Sequence, residues 1–170
     1  MAETNAEKKR GKGKTEAEWA EIVARARQTG KMANTLMKAL AQRYAYRWQF
    51  IDFRGPGGQE SRGIVDILAI RKSSKKPFPE GLKSLDAFDI ILIQVKGGSG
   101  KKLDRPTQHD IERLKIVGER YHAQAIVLFE WNKTLSVTRF LELDDQVPLP
   151  NDPWQERSAL NLFGKPSMAD

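Results

Sequence analysis

The chain has no cysteine and two histidines among its 170 residues. The first absence excludes a disulfide framework and any thiolate-bound zinc or iron–sulfur site. It also suits a reducing compartment. His109 and His122 are too far apart to form a metal motif and read as surface or helix-end residues. No apolar run approaches the roughly 20 residues of a membrane span. The N-terminus is charged rather than leader-like, so a cytoplasmic protein with no membrane partner is expected. Acidic residues are in deficit, with 22 Asp and Glu against 29 Lys and Arg, a net charge of +7. That balance, with a pI near 9.7, favours an anionic partner, nucleic acid first. The apolar content of 39%, with four Trp and seven Phe, fits one domain with a real core.

Residues 1–14 carry no large apolar residue after Met1 and read as a disordered basic arm. Lys8, Lys9, Arg10, Lys12 and Lys14 would attract phosphate or simply keep the tail soluble. From Thr15 the pattern turns helical. Thr15-Glu-Ala-Glu18 has the form of a capping box, with Trp19, Ile22, Val23 and Ala26 following at helical spacing. This helix should stop at Thr29-Gly30. A second, over residues 31–44, would carry Met32, Leu36, Met37 and Leu40 on one face.

Residues 47–53 read as a first strand, and the loop 54–62, with three glycines and a proline, as irregular backbone that can approach a ligand closely or as a solvated hairpin turn. Two runs then stand out. Ile64 to Ile70 is apolar except for Asp66, and Ile90 to Val95 is apolar except for Gln94. Such runs read as strands buried on both faces, where an aspartate is costly unless paired or bound to metal. Residues 72–86 form a polar, Pro-bearing connection, and 97–102 a flexible basic loop. Asp104 or Thr107 caps the next helix, which buries Ile111, Leu114, Val117 and Gly118. Residues 123–131 make a fourth strand, and alternation over 134–143 a fifth, more exposed one. Residues 144–170, with four prolines and Trp154, read as an extended C-terminal arm beside a domain of residues 15–143.

Asp66, a spacer, then Gln94-Val95-Lys96 resembles the D…(D/E/Q)xK signature of the PD-(D/E)xK nuclease superfamily. The Gln-x-Lys form most resembles the Mrr-type restriction endonuclease catalytic domain, and the element order resembles archaeal Holliday-junction resolvases. The resemblance covers about residues 30–143. It implies an α/β fold: a restriction-endonuclease-like αβββαβ core with a mixed central sheet flanked by helices. The order of elements obtained from periodicity and turns is the same.

The resemblance further implies a metal-dependent DNA endonuclease with catalytic residues Asp66, Gln94 and Lys96. Asp66, the Gln94 side-chain oxygen and the Val95 carbonyl would hold Mg²⁺ or Mn²⁺, with Glu60 as an additional reach from the preceding loop. Lys96 would orient or help deprotonate the attacking water and steady the developing negative charge. Alternation puts Gln94 and Lys96 on one side of their strand. Arg54, Arg62, Lys101, Lys102, Arg105 and Gln108 are the expected DNA contacts. Many members carry a glutamate on the helix before the first strand; here Asn34 is the nearest polar residue on the second helix. Many members are dimers, so the resemblance admits a homodimer. Two other readings stand beside it. One is a catalytically inactive nucleic-acid-binding module in which Asp66 and Lys96 form only an ion pair. The other is a structural subunit with an acidic protein partner.

Overall fold

The computed structural model describes residues 15–53, 63–74 and 80–165. Glu60, Arg54, Arg62 and the N-terminal arm lie outside the described residues. No helix of the described residues is long and apolar enough to cross a membrane.

Helix α1 (Glu16–Gln42) is one continuous helix of 27 residues, so the two helices expected around Gly30 are a single element. Thr15 caps it through the anticipated box with Glu18. One glycine inside a helix costs only about 1 kcal/mol. Here the inward stripe continues past it, from the half-buried Gly30 to Ala33, Met37 and Ala41, the last three fully buried. The residues before Thr29 are exposed except for Trp19, which is half-buried. The N-terminal half of α1 therefore overhangs the body.

A six-stranded sheet follows, in the order β1-β2-β3-β4-β5-β6. Strands β1 (Gln49–Asp52), β2 (Ile67–Lys72) and β3 (Phe88–Gly98) are antiparallel neighbours. Helix α2 (Gln108–Arg120) is the crossover that lets β4 (Ala125–Asn132) lie parallel to β3. Strand β5 (Val137–Leu143) returns antiparallel to β4. The architecture is thus α/β, with a mixed sheet covered on both faces.

The two faces have separate cores. Ile67, Ile91, Ile93, Val127 and Phe129 pack under α1, while Ile126, Leu128 and Leu141 pack under α2 with Ile111 and Leu114. This double covering is why the central strands read as continuous apolar runs. Gly118 lies where a Cβ would stand 2.7 Å from Ile126 Cδ1, so α2 sits close on β4 because that position is glycine.

Residues 144–165 are not an extended arm. They supply β6 (Trp154–Arg157), which pairs with β5, and the short helix α3 (Ala159–Phe163). Phe163 is fully buried among Trp48, Phe50 and Phe140, with ring centroids 5.4–6.3 Å away. Strand β5 is consequently interior rather than exposed, and Phe140, Leu141 and Leu143 are buried. The apolar anchors Trp154 and Phe163 outweigh the prolines around them, because burying one large aromatic contributes roughly 2–3 kcal/mol.

Candidate active site at the fork between β2 and β3

The site is built where two paired strands part. Strand β3 runs on to Gly98, whereas β2 begins at Ile67, opposite Ile93. Beyond that pair, the edge of β3 facing β2 has no continuing β2 ladder. Asp66, expected within the strand, sits in the bend immediately before it. Its carbonyl still accepts from the Phe53 amide at 3.2 Å, in register with β1. Its own amide donates to Ile93 O at 2.9 Å, although the ladder extended by one pair would set it against Gln94. The offset is of β-bulge type, a device that re-aims a side chain.

The Asp66 carboxylate turns across the fork, where its Oδ2 accepts from the Val95 amide at 2.7 Å. The N–H and C=O of one strand residue point to the same neighbour, so the Val95 carbonyl is directed to this edge as well. Ile67, Ile91 and Ile93 face α1. By alternation, Gln94 and Lys96 share the opposite side, as the sequence implied.

Gln94 is 6% exposed. Its Oε1 is buried and meets no hydrogen-bond donor among the described residues. A buried amide oxygen left unsatisfied costs about 1–3 kcal/mol, and such an atom calls for a cation or a donor from outside the described residues. Among the described residues no group of three or more His, Cys, Asp or Glu is placed to hold a metal. The oxygen-bearing groups that line the same cleft are one carboxylate (Asp66), one amide (Gln94) and one strand residue (Val95). A hard cation that keeps several of its own waters fits such a set.

Lys96 lies two residues beyond Gln94, with Nζ 3.9 Å from Asp104 Oδ2. Its charge also reaches Asp110, at the start of α2. The Asp110 carboxyl is held below the ordinary value of 3.8, first by the Thr107 hydroxyl, then by the Thr107 amide, with Lys96 adding to the effect. Directly across the parallel pair from Lys96 is Glu130, 1% exposed. Glu130 is not its partner. Its two oxygens accept from Arg105 Nε and Arg139 Nε, each at 2.8 Å.

Arg105, expected to touch DNA, is therefore held by Glu130 and by Asp152, with which it also forms a close ion pair. Its guanidinium is pushed above its ordinary range: burial opposes the charge, but Asp152 and Glu130 together prevail. The loop 99–102 is also tied down. Asn132 Nδ2 donates to Gly100 O at 3.1 Å and Lys102 O at 3.3 Å, and Thr134 Oγ1 donates to Ser99 O at 2.7 Å. Lys101 and Lys102 stand exposed on this anchored loop, and Gln108 is exposed at the first position of α2. Glu130 and Asn132 were invisible as site-supporting groups in the sequence; the available signal was two polar residues at the end of an otherwise apolar strand.

A cleft of about 600 Å³ opens over the fork. Asp66, Gln94, Val95, Lys96 and Asp104 line one side; Ile22, Arg25, Ala26, Arg27, Thr29, Gly30, Lys31 and Asn34 of α1 line the other. Asn34 thus reaches the cleft, where no α1 carboxylate does. Gly97 makes the approach of helix and strand achievable, since a Cβ there would stand 2.7 Å from Ala33 Cβ and 3.1 Å from Thr29 O. No protein-family model, no curated protein and no solved structure matches the chain.

Proposed function

We propose that the chain is a metal-dependent DNA endonuclease of the PD-(D/E)xK kind, working at the fork between β2 and β3. The observation that carries this reading is the buried Gln94 Oε1, without a donor among the described residues, on a residue that lines one cleft with Asp66 and lies on the same side of β3 as Lys96. Asp66, Gln94 Oε1 and the Val95 carbonyl are the groups that would hold Mg²⁺ or Mn²⁺. When bound, the cation supplies charge neutralisation at the phosphate oxygens and an acidified water.

The protein's own part follows from the geometry. The Val95 amide fixes one Asp66 oxygen and so orients the carboxylate. Lys96 sets its ammonium at the cleft, where it orients the attacking water and stabilises charge developing on the phosphate. Arg105 and Arg139 neutralise Glu130, which keeps that carboxylate from drawing Lys96 back into the sheet. Lys101 and Lys102 offer phosphate contacts beside the floor.

One observation favours a second reading, a nucleic-acid-binding module without catalysis: among the described residues the cleft is lined by two carboxylates, and one of them, Asp104, is paired with Lys96. The deciding experiment is cleavage of supercoiled plasmid and of a four-way junction with Mg²⁺, Mn²⁺ or EDTA, for the native chain, Asp66→Ala and Lys96→Ala. Metal-dependent cutting lost in both variants supports the nuclease. Salt-sensitive binding with no cutting under either metal supports the binding module.

A further inference from the structure

The α1 wall of the cleft has a chemistry that phosphate contact alone does not use. Ile22 and Ala26 line the cleft one turn apart, and Ile22 is 39% exposed. On the helix surface Arg25 falls to one side of this apolar strip and Arg27 to the other, with Lys31 farther round the helix. The Arg25–Glu21 pair at 2.9 Å is solvent-exposed, and such pairs hold their partners weakly. Counting the whole lining, four cations (Arg25, Arg27, Lys31, Lys96) face two carboxylates, Asp66 and Asp104. An apolar strip between two cationic margins thus rises directly over the residues assigned to chemistry.

A continuous duplex turns its sugar–phosphate backbone outward and keeps the faces of its bases stacked inside. Laid over this floor it would set charged phosphate against Ile22 and Ala26. An unpaired strand offers both chemistries at once, with base faces for an apolar platform and phosphates for the flanking cations.

Resting on the nuclease reading of the floor, we propose that the cleft binds an unpaired DNA strand, its bases against Ile22 and Ala26 and its phosphates on the flanking Arg25 and Arg27. The substrate class is then DNA with a single-stranded segment, such as a flap, a splayed end or an opened branch. The platform belongs to the overhanging half of α1, so strand selection and bond cleavage sit on separate elements that meet at Gly97.

The test measures fluorescence anisotropy of labelled oligothymidylate and of a blunt duplex of equal length, in EDTA, so that binding is read without cutting. The full chain should bind the single strand about tenfold tighter, the gain from burying roughly 50 Å² of apolar surface against a base face. Ile22→Ser should erase most of that preference and leave duplex affinity unchanged. Ile22→Tyr, which enlarges the platform, should strengthen single-strand binding, and Arg25→Gln should weaken both ligands. Equal or tighter binding of the blunt duplex by the native chain overturns the proposal, as does an unaltered preference in Ile22→Ser with no gain in Ile22→Tyr. The same oligonucleotides with Mg²⁺ separate the two readings. Strand preference without cleavage removes the nuclease and keeps the platform; cleavage of both ligands with no preference does the reverse.

Discussion

The Val95 amide and the Asp66 carboxylate meet at 2.7 Å, across the point where β2 and β3 separate. A backbone donor that has lost its ladder is thereby satisfied by the side chain that the site needs in a fixed orientation. Hydrogen bonds to an ionised acceptor are roughly twice as strong as neutral ones. Asp66→Asn keeps the shape and removes the charge. It should lower stability by about 1 kcal/mol and cut metal-dependent plasmid cleavage at least about 100-fold. Thermal melts and gel assays on the same preparation check both, and native-level cutting would remove Asp66 from the site.

Gln94→Glu tests the oxygen set from the other direction. A carboxylate at a position 6% exposed is unfavourable without a cation, so the metal-free variant should melt below the native chain. Added Mg²⁺ should then raise its Tm by more than it raises the native one, since a charged ligand tightens the site by about tenfold. Identical Mg²⁺ responses in the two proteins would argue against Gln94 as a ligand.

Gly97→Ala addresses how the cleft is held. Its Cβ would fall 2.7 Å from Ala33 Cβ and 3.1 Å from Thr29 O, and overpacking of that order costs about 1–3 kcal/mol. A loss of several degrees in Tm is expected for a domain of this size, together with weaker cleavage as α1 is pushed off the strand. An unchanged melt would mean that α1 shifts freely at this point.

Acid should weaken the start of α2. The Asp110 carboxyl is lowered from 3.8 by the Thr107 hydroxyl, then by the Thr107 amide. The folded state therefore holds the carboxylate deprotonated more tightly than the unfolded chain does. Its contribution is complete above the ordinary value and is lost as pH falls through the lower folded one. Urea unfolding from about pH 5 to about pH 2 should show this limb, and Asp110→Asn should flatten it.

Much of this was readable in the residues, and the reasons for the rest are physical. The apolar runs around Asp66 and Gln94 announced central strands because both sheet faces are covered. The Thr15 and Thr107 caps announced helix starts because their side chains can satisfy open amides. Gly30 misled, since a glycine stops a helix only when the apolar stripe stops with it. The tail misled because its prolines were visible locally, whereas the aromatic cluster that receives Phe163 is assembled from distant segments. Asp66, Gln94 and Lys96 were legible as a pattern. That Arg105 would be drawn to Glu130 depended on a parallel pairing that sequence spacing does not express.

Phe163 sits against Trp48, Phe50 and Phe140, near the start, the first hairpin and the far side of the sheet. During synthesis, a chain emerging N-terminus first has α1 and five strands outside the ribosome while the place for this ring is still vacant. The core beneath α1 is complete only once residue 163 has joined it. Translation order itself thus delays completion of the fold until α3 has arrived.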